Sequence, residues 1–185
     1  MDDTIPEVRM EPIEPPRRGA VIFDRDGVIN VDVAYAHRPD QIVWIEGAAE
    51  AVRAVNAAGL FAFVATNQAG VARGYYTEEE VKSLHRWMYQ QLVKRGARID
   101  AFLYSPFHPE GVVEAYRRVT DCRKPGPGMI RDLMARFPVD PARTVMIGDK
   151  DSDVQAAEAA GIEGLLFEGG SLLEFIKPVL ARITA

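Results

Sequence analysis

The chain of 185 residues has a single cysteine, Cys122. One cysteine cannot close an internal disulfide and cannot alone build a zinc site, so a reducing compartment is the simplest reading. Long apolar runs are missing too: none approaches the roughly 20 residues that a bilayer-spanning helix needs. The acidic, proline-rich start, Met1 to Arg18, lacks the basic residues and apolar stretch of a signal peptide. These absences predict a soluble, cytoplasmic protein. Positive charge is in short supply, with 22 Lys and Arg against 27 Asp and Glu and a formal net charge of -5. That argues against nucleic acid or an anionic membrane as partner, since either needs a basic face. Neither Gly-x-Gly-x-x-Gly after the first apolar run nor Gly-x-x-x-x-Gly-Lys-Ser/Thr occurs, which removes the two common nucleotide-binding fingerprints. Any anion this chain binds must therefore meet positive charge gathered locally.

What is present is apolar residues enough for one sizeable core, 48% of the chain. Four prolines between Pro6 and Pro16 exclude a stable helix and predict an extended arm over residues 1–18, followed by one domain over 19–185. From Gly19 onward, short β-type runs alternate with helical patterns. The runs are Ala20–Phe23, Phe61–Ala65, Ala101–Tyr104, Thr144–Ile147 and Gly164–Phe167. Helices are expected over Ala48–Ala58, stopped by Gly59, and from Thr77 to about Lys94, opened by a Thr77/Glu80 capping box. Further helices are expected over Gly128–Arg136, over Ser152–Ala160 and after Ser171, the last with Pro178 inside it. Such alternation predicts an α/β fold, a three-layer Rossmann-like parallel sheet with helices on both faces. Ligands of these sheets bind at the carboxyl ends of the strands. Residues 106–125 carry no clear period and read as an inserted loop near those ends.

The chemistry gathers at the same ends. Asp24-Arg25-Asp26-Gly27 follows the first run, and Gly27 can turn the chain so that two carboxylates aim at one point. Converging carboxylates call for a cation, for which magnesium suits oxygen ligands, and an Asp can itself accept a phosphoryl group. Thr66-Asn67-Gln68 follows the second run and offers a hydroxyl and free backbone N–H groups to an anionic oxygen. Arg123-Lys124 precedes a helix on a chain stiffened by prolines. Asp149 closes the fourth run; Asp151, Ser152 and Asp153 beyond it have a capping role to play, but Asp149 has no such need. Taken singly, each motif has an ordinary structural explanation as a turn or a cap. Together they supply the charge stabilisation and positioning that phosphoryl transfer requires.

In this order the residues resemble the haloacid dehalogenase superfamily of phosphatases. The longer strings Asp24–Asn30, Thr66–Gln68, Cys122–Pro125 and Gly148–Lys150 are similar to its heptose-bisphosphate and histidinol-phosphate phosphatases. The resemblance implies a minimal cap made of loops, Asp24 as nucleophile, Asp26 as general acid and base, and Thr66 with Lys124 holding the phosphoryl group. It implies magnesium on Asp24, the backbone carbonyl of Asp26, and Asp149. Substrate contacts are implied from Asp32 to Tyr35, from Thr66, Asn67 and Gln68, and from Arg123, Lys124 and Lys150. The family's zinc loop falls on Ser105, Phe107, Thr120 and Cys122, only one of which is a zinc-type ligand, so no zinc is expected. Packing by Tyr104, Phe107 and Tyr116 is expected to hold the insertion instead. The partner implied is a small phosphorylated metabolite, heptose 1,7-bisphosphate first and histidinol phosphate second, acted on by a monomer or weak homo-oligomer. A non-catalytic binding module is the competing class, and it predicts a broken set of site residues where this chain keeps all five of Asp24, Asp26, Thr66, Lys124 and Asp149.

Overall fold

The structure is a computed structural model that describes residues 15–185. Most of the expected arm lies outside the described residues. Its last residue, Arg18, instead opens the first strand.

Among the described residues five parallel strands form one sheet in the order β3-β2-β1-β4-β5. They are β1 (Arg18–Phe23), β2 (Phe61–Asn67), β3 (Ala101–Ser105), β4 (Val139–Gly148) and β5 (Glu163–Leu166). The helices between and after them are α1 (Ala48–Ala57), α2 (Glu78–Lys94), α3 (Gly128–Arg136), α4 (Asp151–Ala160) and α5 (Leu172–Thr184). The two-residue period of the strands sorts the core into two halves. Val21, Phe23, Ala62, Val64, Val145 and Ile147 face α1, α2 and α5. Ala20, Ile22, Phe61, Phe63, Ala65 and Met146 face α3 and α4. Because both faces are covered, the strands are near-continuous apolar runs.

Several boundaries follow local chemistry. Thr77 Oγ1 accepts from the Glu80 N–H at 3.2 Å while Glu80 Oε2 accepts from the Thr77 N–H at 2.7 Å, the reciprocal cap that the sequence predicts for α2. Ser171 caps α5 by accepting from Glu174 N–H, and Pro178 sits inside that helix. Strand β4 begins five residues earlier than its apolar run. Its first half, Val139–Arg143, is mostly exposed and contains Pro141, so it reads as a turn; the register shift between Arg18 and Ala20 accommodates it beside β1.

The strand order reverses direction between β1 and β4: β2 and β3 lie to one side, β4 and β5 to the other. Such a switch point opens a crevice beyond the carboxyl ends of its two strands. Asp24 follows β1 and Asp149 follows β4, so the topology brings residues 125 positions apart to one crevice. Among the described residues no helix is long and apolar enough to cross a membrane.

Candidate active site

The crevice has a volume of about 590 Å³, and its lining includes Asp24, Asp26, Thr66, Lys124 and Lys150. At its base, β1 and β4 are locked together where Asp24 N–H donates to Ile147 C=O at 2.8 Å. Gly27 turns the chain with φ +87°, and a Cβ there would lie 2.3 Å from Asp149 Oδ2. Glycine is thus required twice over, for the left-handed backbone and for the close approach of the Asp149 carboxylate.

Lys124 is 3% exposed, and its Nζ lies 2.8 Å from Asp24 Oδ1, 2.6 Å from Asp153 Oδ1 and 2.8 Å from the Ala65 carbonyl. Burial alone favours the neutral amine, but the two carboxylates outweigh it and hold the ammonium above its ordinary pKa. Asn67 fixes the backbone of this lysine from both sides: its Oδ1 accepts from Lys124 N–H and its Nδ2 donates to Lys124 C=O.

Carboxylate oxygens of Asp24, Asp149 and Asp153 lie within 4.8 Å of one another. Asp149 Oδ1 is buried without a hydrogen-bond partner among the described residues. Burial, with Asp24 and Asp153 alongside, pushes the Asp149 carboxyl above its usual range, against the pull of Lys150. Lys124 pairs with Asp24 and Asp153, and half-exposed Lys150 lies 3.6 Å from Asp149 Oδ2, so two ammoniums still leave three clustered carboxylates in excess, and the orphaned buried oxygen needs an electropositive partner. This donor set fits a hard divalent cation.

Asp26 stands apart from that cluster. Its carboxylate accepts from Arg25 Nε and Nη2, from Asn30 Nδ2 at 2.9 Å and from Gln68 Nε2 at 3.2 Å. Gln68 also donates to Thr66 Oγ1 at 2.9 Å and accepts from Tyr76 O–H at 2.8 Å, and burial pushes that phenol up to about 12. The Gln68 amide thus finds its partners within the protein and links Thr66 to Asp26, while Asn67 holds the Lys124 backbone and, among the described residues, keeps one Nδ2–H free in the crevice lining.

At the rim, Lys150 Nζ reaches Asp32 Oδ2 at 3.1 Å. Burial opposes ionisation of Asp32, but the Ala34 N–H and Lys150 hold its carboxyl below the usual value. Ala34 and Tyr35 follow with φ of 54° and 61°, conformations that cost roughly 1–2 kcal/mol each for residues with a Cβ. Tyr35 packs edge-on against Tyr75. Opposite, Arg123 donates to the Phe107 carbonyl at 3.3 Å. Burial lowers its pKa, and so does Arg73 nearby.

Comparison with known proteins now gives the arrangement a family. Residues 121–174 match the family model described as HAD-hydrolase-like. Over 168 residues the chain is 51% identical to the D-glycero-β-D-manno-heptose-1,7-bisphosphate 7-phosphatase of Rhodopseudomonas palustris, covering 91% of this chain and 93% of that one. The chain belongs to the HAD-like phosphatases. The Escherichia coli K12 protein of the same name is 43% identical over 143 residues, 77% of this chain and 75% of its own length. A crystal structure of the D,D-heptose 1,7-bisphosphate phosphatase of B. bronchiseptica, complexed with magnesium and phosphate, superposes with a TM-score of 0.74 at 33% identity, covering 89% of this chain and 86% of that one.

In this HAD-like phosphatase the crevice is lined by Asp24, Asp26, Asp32, Tyr35, Thr66, Asn67, Gln68, Arg123, Lys124 and Lys150, while Asp149, which is not in that lining, clusters with Asp24 and Asp153. Three further residues escaped sequence reasoning. Asp153 does cap α4, accepting from Lys150 N–H at 3.1 Å, but its other oxygen is the ion-pair partner of Lys124. Gly148 makes room for it, since a Cβ there would meet Asp153 Cβ at 2.1 Å. Arg25 and His85, both buried, support Asp26. A Gly directly before an Asp-x-x-x-Asp string was the one signal that could have marked Asp153.

Proposed function

We propose that this phosphatase removes the 7-phosphate of D-glycero-D-manno-heptose 1,7-bisphosphate through an aspartyl-phosphate intermediate, in the cytoplasm, with magnesium as its cofactor. The observation that carries the chemistry is the meeting of Asp24, Asp149 and Asp153 beyond the ends of β1 and β4, with Lys124 bridging Asp24 and Asp153. The substrate is favoured by the names of its relatives and by charge at the crevice mouth.

Asp24 Oδ1 is held by Arg25 N–H and by Lys124, both at 2.8 Å. Oδ2, to which no protein group donates among the described residues, is left to attack phosphorus. As that O–P bond forms, the ester O–P bond breaks, and Asp26 gives its proton to the departing sugar oxygen. Lys124 and Thr66 hold the phosphoryl oxygens. In the second step Asp26 takes a proton from water, the water oxygen attacks phosphorus, and Asp24 leaves as carboxylate. Bound magnesium, on Asp24, Asp149 and the backbone carbonyl that the resemblance adds at Asp26, would supply Lewis-acid stabilisation of the phosphoryl charge. Asp24→Asn is expected to reduce turnover by at least about a thousandfold. Unchanged hydrolysis would remove Asp24 from the nucleophile's role.

Arg123 lines the crevice and feels the charge of Arg73, which meets His108 Nε2 at 3.4 Å; neither guanidinium has a carboxylate partner among the described residues, and Arg73 Nε is buried and unsatisfied. A crevice guanidinium with a second one acting on it and no carboxylate partner for either favours a ligand with a second anionic group. The guanidiniums disfavour histidinol phosphate, whose amine is cationic, and Asp32, the rim carboxylate available to an amine, is taken by Lys150. Phosphate release from heptose 1,7-bisphosphate and from histidinol phosphate, measured side by side with magnesium, tests the assignment. Preference for histidinol phosphate, or loss of the 1-phosphate, would overturn it. Ser105, Phe107, Thr120 and Cys122 give no zinc set, so protein purified without added metal is expected to contain no stoichiometric zinc.

A further inference from the structure

Arg25 is the largest fully buried side chain of the described residues, with no exposed surface. A buried guanidinium must find partners for its five N–H donors. Nε and Nη2 turn to Asp26, at 3.1 and 2.8 Å, and Nη2 also donates to the Ala36 carbonyl at 2.7 Å. Nη1 has one recorded partner, Nε2 of His85, at 3.3 Å. His85 comes from the middle of α2, 60 positions away, is 5% exposed, and stacks on Phe102 with ring centroids 5.0 Å apart. Burial, and then Arg25 itself, lowers its pKa well below that of an ordinary histidine. The imidazole is neutral, and because Arg25 only donates, Nε2 accepts and the proton lies on Nδ1.

The guanidinium is thus gripped at both ends, by Asp26 on the crevice side and by His85 on the helix side. Without His85, Nη1 would be a buried donor with no partner, and the guanidinium would be drawn toward another acceptor. Any such turn would carry the Asp26 carboxylate with it, because two of the four donors on that carboxylate come from Arg25.

We propose that His85 is a positioning residue for proton transfer: its Nε2 fixes the Arg25 guanidinium, which aims Asp26 at the leaving-group oxygen. This rests on the role proposed above for Asp26. Misplacing a general acid should slow esters whose leaving oxygen needs a proton and spare those whose leaving group departs as a stable anion. The measurement is the rate of alcohol or nitrophenol release in the first turnover, with a sugar phosphate and with p-nitrophenyl phosphate, at saturating magnesium. His85→Leu is expected to lose about 10- to 100-fold on the sugar phosphate, part of the 10²–10⁴ that a general acid supplies. Its KM should be nearly unchanged, and its rate on p-nitrophenyl phosphate should stay within about threefold. His85→Gln, whose amide oxygen can occupy the place of Nε2, should recover most of the loss. If His85→Leu does not fold, Gln compared with Asn, whose amide falls short of Arg25, makes the same test. Equal losses on both esters, no loss at all, or Gln no better than its comparison variant would each overturn the inference. Asp26→Asn run in parallel separates the two readings. If it shows the leaving-group dependence and His85→Leu does not, the positioning role alone fails; if Asp26→Asn slows both esters equally, both fail.

Discussion

Asp153 shows how one carboxylate can do two jobs that the sequence displays as one. Its Oδ2 caps α4 through Lys150 N–H, and its Oδ1 shares Lys124 with Asp24. Asn keeps the capping oxygen and removes the charge, so Asp153→Asn isolates the second job. The variant is expected to fold, and to lose about 10- to 100-fold in activity or magnesium affinity, as changes to groups supporting a metal site do. Wild-type turnover with unchanged magnesium dependence would reduce Asp153 to a cap. The acids at strand ends were legible because each follows an apolar run, where burial of the strand leaves the next residue at the rim of the sheet. Arg25 and His85 were not legible. Their meaning lies in a contact across 60 positions, and nothing in either local pattern announces it.

At the scale of elements, the helices were readable wherever their ends carry chemistry, as Thr77 and Glu80 do for α2 and Ser171 for α5. The inserted loop between β3 and α3 has no period, so only its tertiary contacts define it. Tyr104 and Tyr116 both donate their hydroxyls to Glu78 in the first turn of α2. Phe107 packs against Tyr116, and the Arg118 guanidinium lies 4.2 Å from the centre of the Phe107 ring. The Glu78 carboxylate thus joins Tyr116 of the insertion to Tyr104 of β3, and the tilted Phe107–Tyr116 pair holds the insertion to itself, with Arg123 near its end. The bonds from Tyr104 first, and Tyr116, hold the Glu78 carboxyl below its ordinary value despite partial burial. A folded-state pKa below the unfolded one means that this tie contributes fully above the ordinary glutamate pKa of 4.5 and fades as pH falls through the lowered value. Tyr104 and Tyr116 bond different oxygens of Glu78, so Glu78→Gln leaves one neutral acceptor where there were two charged ones, weakening one bond and removing the acceptor of the other. The expected result is faster proteolytic cleavage within residues 106–122 and a KM raised severalfold at neutral pH, with kcat little changed. A cleavage pattern identical to wild type would show that the packing of Phe107, Tyr116 and Arg118 alone suffices.

For the whole molecule, the cation site proposed on Asp24 and Asp149 predicts an effect on stability as well as on catalysis. Three acids cluster in a chain that already carries a net charge of -5, two of them on Lys124 and the third 3.6 Å from Lys150, so the folded state concentrates negative charge that the unfolded chain disperses. A divalent cation that binds only the folded arrangement stabilises it by mass action, by about 2.7 kcal/mol when present at one hundred times its dissociation constant. For a chain of this length each kcal/mol moves the melting temperature by about 2–4 °C, so magnesium should raise it by roughly 5–11 °C over protein treated with chelator. The same titration on Asp149→Asn decides whether the shift belongs to this site. The substitution relieves repulsion among the carboxylates, so the metal-free variant is expected to melt at or above the temperature of the metal-free parent. It also removes the orphaned charge that calls for a cation, so its response to magnesium should largely vanish. A variant that still gains several degrees from magnesium would place the stabilising cation elsewhere in the chain, and the meeting of β1 and β4 would then have to be explained without a metal.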